Sequence, residues 1–261
     1  NLSCNPSLGR NNELMKSLGL ALRDNHCLVF LHLSNVGMND QIMTSFAESM
    51  NGNLSVAFLD ISDNNLSQHQ HFATLLTSNP SITRLDISQK HLVNPGAQLQ
   101  TQMQNHQTRD AVMQSLLPAL TESSIIELPQ ISEMDNGKKA AYEISKHHDN
   151  LQYRLMQLER GNTDSFDPKT LLITLKQLQG RTSRTMPAEL SYQDMKGDGF
   201  YIQKLGALFK SKYEKQFATQ SQSDAAEASS EKPFTAEEMK YCGAIVGSGI
   251  LGDSFHHYLD T

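Results

Sequence analysis

Gly247-Ser248-Gly249-Ile250-Leu251-Gly252 spells GxGxxG, the spacing that brings backbone amides close to a pyrophosphate where a strand turns into a helix. Here a helical pattern precedes it, so with Gly243 it predicts a turn or a close helix contact. Asp194, Asp198 and Gly199 stand at positions 1, 5 and 6 of a calcium loop. Position 3 is Lys196, and position 12, where a bidentate Glu belongs, is Leu205, so the segment predicts a Gly turn before a helix. His147-His148 and His256-His257, the latter near Asp253, are ligand types, yet neighbours on a helix point about 100° apart and seldom share an ion. His148 falls on an apolar seam and is expected to be a hydrogen-bonded core or interface histidine. Cys242 is the thiol of the second half, and His256 follows fourteen residues later, a spacing that matches no local nucleophile signature. No metal, cofactor or catalytic residue is expected, and the chain reads as a non-enzyme.

Composition narrows the classes further. With Lys+Arg 22 against Asp+Glu 28 over 261 residues the formal charge is −6, and the longest basic run is Lys138-Lys139. A nucleic-acid partner is not expected. The apolar stretch from Ile245 to Leu251 is far shorter than the roughly 20 residues a membrane helix needs. Cys4, Cys27 and Cys242 are too widely spaced for a disulfide framework or a CxxC pair, which suits a reducing compartment. Sequons at Asn1, Asn53 and Asn65 read as by-products of a repeat. The chain opens on Asn1 with no charged-then-apolar leader, which leaves targeting open.

The repeat is visible as three segments that align without gaps: Leu28-Val29-Phe30-Leu31-His32-Leu33-Ser34, Val56-Ala57-Phe58-Leu59-Asp60-Ile61-Ser62 and Ile82-Thr83-Arg84-Leu85-Asp86-Ile87-Ser88. Each reads LxxLxLS, and the starts differ by 28 and 26 residues. Met38, Leu66 and Leu92 follow each Ser at one spacing; two residues after the Ser, Asn64 is matched by Val36 and Lys90. Helical spacing fills the linkers: Ile42, Met43, Phe46, Ala47 and Met50 in one, Phe72, Leu75 and Leu76 in the next. Asn39 or Asp40, Ser67 and Asn94-Pro95 mark starts, and Asn51-Gly52-Asn53 and Asn79-Pro80 mark stops. Leu2-Ser3-Cys4-Asn5 copies Ile61-Ser62-Asp63-Asn64 and precedes a helical pattern at Leu14, Leu18 and Leu22, so the chain opens partway through a repeat. Ser124-Ile125-Ile126-Glu127-Leu128 matches Ser81 to Leu85 and predicts a fourth strand serving as a cap. Residues 94–122 are Gln-rich and helix-compatible, an interruption of the series.

This block resembles leucine-rich repeats of the ribonuclease-inhibitor type over residues 1 to 93, which implies parallel strands and helices stacked as a solenoid. The expected fold is therefore α/β: a short leucine-rich-repeat solenoid followed by an all-α C-terminal region. The expected domains are 1–135, repeats with a degenerate cap, and 136–261, helical. In the latter, Ala141, Ile144, His148, Leu151, Leu155 and Leu158 form one amphipathic seam. Asp167-Pro168 opens a helix with Leu171, Leu172, Leu175 and Leu178 that Gly180 closes, and Tyr201, Leu205, Leu208 and Phe209 mark another. Residues 218–232 lack an apolar period and read as a mobile loop. Thr235 and Glu238 form a capping box before a last helix.

Alternation along the strands turns Leu31/Leu33, Leu59/Ile61 and Leu85/Ile87 inward. The neighbours then form three outward columns: Phe30, Phe58 and Arg84; His32, Asp60 and Asp86; Ser34, Ser62 and Ser88. Aromatic and Arg groups are common anchors of interfaces, so Phe30, His32, Phe58, Asp60, Arg84 and Asp86 are the expected protein-binding residues. In composition and build the chain also resembles leucine-rich-repeat effectors of Legionella-like intracellular bacteria. That resemblance implies secretion into a host cytosol and action on a host or bacterial protein, including occlusion of an enzyme's active site. The Cys-x-Asp nucleophile of repeat-bearing bacterial ubiquitin ligases is not matched by Cys242-Gly243-Ala244. A small enzyme with its chemistry in the helical half, and a scaffold joining two partners, are the alternatives.

Overall fold

The structure is a computed structural model that describes residues 1–64, 66, 70–88, 116–128, 137–182, 192–222 and 233–251. It is mixed α/β, and its chain divides into two compact units, Asn1–Asn150 and Leu151–Thr261.

The first unit holds strands β1 (Phe30–His32), β2 (Phe58–Asp60) and β3 (Arg84–Asp86) in one parallel sheet of that order. The register is the one the LxxLxLS alignment predicts, with Leu31 beside Leu59 and Leu59 beside Leu85. Two further segments extend the ladder. At one side, where a fourth strand is expected, Glu127 forms an isolated parallel bridge with Arg84 in the predicted register. At the other, the Leu2 and Cys4 amides donate to the His32 and Ser34 carbonyls, both at 2.9 Å. Leu33 and Asn35 make the same bonds to Asp60 and Ser62, and Ile61 and Asp63 to Asp86 and Ser88. Cys4, Asn35 and Asp63 share a left-handed backbone, φ 61°, 52° and 55°, so the opening residues repeat the turn that ends each strand.

Parallel strands need crossovers, and helices supply them. Among the described residues these are α1 (Asn12–Arg23), α2 (Asp40–Ser49), α3 (Gln70–Ser78) and α4 (116–122). Asn39 caps α2 by accepting from the Ile42 amide, as expected, and Asn11 caps α1 in the same way from Leu14. The helix faces close over Leu31, Leu33, Leu59, Ile61 and Leu85, with Met15, Met43, Phe46, Phe72, Leu75, Leu116 and Ile125 in the same core. Leu18 and Leu22 of the expected α1 stripe pack on the core, but Met15 takes the first place and Leu14 is 47% exposed. Gly19 lets α1 press onto α2, because a Cβ there would lie 2.6 Å from Ser49 Cβ. Leu28, the first apolar residue of its LxxLxLS segment, is 37% exposed.

Helix α5 (Gly137–Glu159) starts in the first unit. Ala140 and Ile144 join the repeat core, whereas Ala141 is exposed. The two units therefore part at Asn150, inside α5, rather than at 136.

In the second unit every regular element among the described residues is a helix: the end of α5, α6 (Pro168–Thr182), α7 (Tyr192–Lys212), α8 (Glu214–Gln222) and α9 (Ala236–Gly247). Leu151, Leu155, Leu171, Leu172, Leu175, Leu178, Leu205, Phe209 and Ile245 are buried. Polar ties join the helices. Arg154 Nη2 donates to Gln177 Oε1 at 2.7 Å, Tyr213 Oη to the Phe166 carbonyl at 2.6 Å, and Tyr201 Oη to Glu159. The capping box Thr235/Glu238 opens α9 as expected. Three boundaries differ. Gly180 lies within α6, buried, and α7 begins at Tyr192, so Gly199 is helical rather than a turn. Residues 218–222 complete α8; the rest of the expected loop, 223–232, lies outside the described residues, as do Asn65, Ser67, Lys90, Leu92, Asn94, Pro95, Gly252, Asp253, His256 and His257.

Candidate functional site: the outward strand face

Phe30, Phe58, Arg84 and Glu127 stand in one column across four rungs, and His32, Asp60 and Asp86 in the next. The sheet thus assembles all six expected residues. Their exposure is unequal. Phe30 is 39% exposed and Phe58 only 6%, so the expectation of two exposed phenylalanines side by side is corrected. The cause is side-chain packing on the face itself. The Arg84 guanidinium carbon sits 4.6 Å from the Phe58 ring centroid, and the His32 ring meets Phe58 edge-on at 4.9 Å. Glu127 holds Arg84 from the next rung, with Oε1 3.5 Å from Nη2.

The second column is knitted to the third. Asp60 Oδ1 accepts from the Ser62 amide at 3.0 Å and from its hydroxyl at 2.6 Å, and Ser62 Oγ lies 2.9 Å from Ser34 Oγ. Asp86 repeats the turn, accepting from the Ser88 amide at 3.0 Å. Asp-x-Ser is therefore a turn device as well as an outward charge. The other oxygen of Asp60 faces His32 Nδ1 at 3.4 Å. Asp86 is buried to 9% exposure, which leaves Phe30, His32, Asp60, Arg84 and Glu127 as the groups an incoming surface meets.

Two polar devices lie behind the face; the first escaped the sequence reading, and the second is the hydrogen-bonded histidine expected on the apolar seam. Asn53, read only as a helix stop, is fully buried. Its Oδ1 accepts from the Ser55 and Val56 amides at 3.1 and 2.8 Å, and its Nδ2 donates to the Leu22 carbonyl. Asn25 makes the same turn bonds to Cys27 and Leu28, and Asn79 Oδ1 takes the Asn53 amide at 3.0 Å. Asn25, Asn53 and Asn79 each stand three residues before the first apolar residue of a strand segment; that recurrence was the available signal. The second device is His148. The Ala57, Thr83 and Ile126 amides donate in turn to the Val29, Ala57 and Thr83 carbonyls. The Ile126 carbonyl is met by His148 Nε2 at 2.8 Å, which donates where another amide would stand.

Asn64 does what the repeat pattern asks of it, and Asn5 copies its bonds to the turn, donating to the Leu2 and Ser3 carbonyls. Asn64 Nδ2 donates to the Leu33 and Ile61 carbonyls at 2.9 Å, and its Oδ1 accepts from Val36 and Met38 at 3.1 Å. Two successive turns are thereby joined in a buried position.

No family model and no curated protein matches the chain. Among solved structures it is similar to "Leiomodin-1 Actin-Binding Site 2 (ABS2)", with 16% identity, 61% of this chain and 87% of that chain covered, and a TM-score of 0.45. A likeness that loose carries no argument about function.

The remaining chemistry-bearing residues are dispersed. Among the described residues no group of three His, Cys, Asp or Glu side chains is placed to hold a metal ion, and no helix is long and apolar enough to cross a membrane. Asp198 lies 3.9 Å from Arg181 Nε as an ion pair, and the would-be calcium loop is helical. Gly249, φ 75°, follows the end of α9, the left-handed position that closes a helix rather than opening one onto a phosphate. Cys242 is buried, and burial, aided by Glu238, pushes its thiol up to about 12. A thiol so held stays protonated at neutral pH, the wrong state for a nucleophile.

Proposed function

We propose that this chain is a leucine-rich-repeat module that binds a protein through the outward strand face and catalyses no reaction itself. The observation that carries the reading is the in-register stacking of the LxxLxLS strands, which merges single side chains from sequence-distant segments into one face with Phe30 exposed at 39%. An exposed aromatic on a rigid sheet loses little freedom on binding and offers a large apolar contact. The protonated, buried Cys242 supports a binding role over thiol chemistry in the second unit. As an effector delivered into a host cytosol, the chain would act by covering a surface of its partner, including an enzyme's substrate entrance.

The test is a pair of substitutions in one column. Phe30→Ala should weaken capture of a partner isolated with the wild-type chain by about thirtyfold, or roughly 2 kcal/mol, and Asp60→Arg should add charge repulsion or steric block. Phe30→Ala should leave the melting curve nearly unchanged. Phe58→Ala should instead cost stability by roughly 3 to 5 kcal/mol as a buried aromatic deletion. Unchanged capture by both Phe30→Ala and Asp60→Arg would move the contact off this face.

A further inference from the structure

The outward face contains one filled aromatic contact and an open counterpart beside it. Phe58 is covered by the Arg84 guanidinium, which in turn has Glu127 at 3.5 Å. Phe30 occupies the neighbouring rung of the same column at 39% exposure, and among the described residues no cation or ring lies against it. Asp60 is paired with His32 two positions along β1. It is therefore the diagonal neighbour of Phe30 on the same face, a separation of roughly 7–8 Å that a long side chain bridges.

Charge points the same way. Among the described residues, Asp60, Asp86 and Glu127 stand in these two columns with one arginine, Arg84. Asp60 and Asp86 are direct cross-strand partners, and like charges in that relation repel. An incoming cation relieves the repulsion, and an incoming carboxylate adds to it. Asp60 uses Oδ1 for the Ser62 turn, which leaves Oδ2, now opposite His32 Nδ1 at 3.4 Å, to receive a donor.

We propose that the protein partner presents an arginine to this face, its guanidinium lying flat on the Phe30 ring with N–H groups directed at Asp60 Oδ2, so that the Phe58–Arg84–Glu127 contact is repeated between molecules. A planar guanidinium stacks on an aromatic face while its edge still donates, which an ammonium does less well. An aliphatic side chain over Phe30 would cover the Asp60 carboxylate without bringing it a further donor. The inference rests on the protein-binding reading of this face and gives it a chemistry.

The experiment titrates a blocked Gly-Gly-Arg-Gly-Gly peptide into the full chain and follows the Phe30 and Asp60 resonances by NMR. Parallel titrations use the same peptide with citrulline or with Leu in place of Arg. The Arg peptide should give saturable shifts at both residues, with citrulline and Leu peptides at least about tenfold weaker. Phe30→Leu and Asp60→Asn, which alter the contact with little change in volume, should each weaken the Arg peptide about fivefold or more. Equal binding of the citrulline or Leu peptide, persistence of Arg binding in both variants, or no saturable shift at either residue overturns the arginine. None of those results touches the protein-binding reading, which falls only if partner capture resists Phe30→Ala and Asp60→Arg.

Discussion

The two units are held together by different means. In residues 1–150 the distinctive bonds run between segments 26 to 31 positions apart and recur with the sequence: Asn53 to Leu22, Asn64 to Leu33, Thr83 to Ala57. Each rung satisfies its backbone through its neighbours, so no rung closes its own ladder. In residues 151–261 each helix satisfies its own backbone, and apolar faces such as Leu171, Leu175, Leu205 and Phe209 join them. A polar group is structural in the first case because a buried carbonyl waits for it. In the second it ties one segment to another at isolated places, some exposed, as with Tyr201–Glu159, and some against buried partners, as with Arg154–Gln177 and Tyr213–Phe166. Sequence-level function follows the same division: the first unit repeats outward positions and so builds a face, while the helical unit offers no recurrence from which to build one.

The sharpest way to break this contrast is Asn53→Ala. Removing that side chain strands the Ser55 and Val56 amides in a fully buried site and takes one donor from the Leu22 carbonyl, which keeps the Asn25 amide. With a buried unsatisfied group costing about 1–3 kcal/mol, the expected loss is about 4 kcal/mol in urea unfolding. A loss below about 1 kcal/mol would mean the ladder is decorative. The same burial makes the Asn53 sequon unusable in the folded chain, since a glycan on Nδ2 would displace those bonds.

Register and core were legible because LxxLxLS recurs and the strand period is two, so one alignment fixes every partner. The bridge at Glu127 was legible for the same reason, though it does not extend into a strand. Burial on the outward face was not: periodicity says that Phe58 and Arg84 point to one side, not that Arg84 lies down over the ring. Nor did pattern distinguish a helix-stopping Asn from one that binds the next turn. Gly199 and Gly180 misled because a glycine weakens a helix by only about 1 kcal/mol, too little to end one whose apolar stripe packs well.

A smaller effect is expected where the repeat ladder ends. His148 donates to the Ile126 carbonyl on the side of the sheet opposite Leu2, so the first half of α5 closes an edge that would otherwise be open to another strand. His148→Leu keeps the bulk and removes the donor. It should cost about 1 kcal/mol and speed hydrogen exchange of the Ile126 and Glu127 amides, with α6 to α9 unaffected. Faster exchange in α9 instead would show that the two units do not unfold separately.

The smallest expected effect sharpens the contrast from the helical side. Cys242 is one of three cysteines; Cys4 and Cys27 are exposed and free. Burial raises the Cys242 thiol from 9.0 to about 12, so in the folded state it stays neutral across the range in which the unfolded thiol ionises. Its contribution to stability is full below about pH 9 and is lost as pH rises toward about 12, because only the unfolded chain releases the proton in between. At pH 8 iodoacetamide should therefore modify Cys4 and Cys27 promptly, with Cys242 reacting only after urea unfolds the second unit; mass spectrometry of the peptides reads the order. Cys242→Ala removes the ionisation and a small apolar volume, and it should leave partner capture within error of wild type. Rapid modification of Cys242 in the folded chain would refute its burial. Loss of a cellular effect with capture intact would assign the chemistry to the helical unit and overturn the binding-only reading.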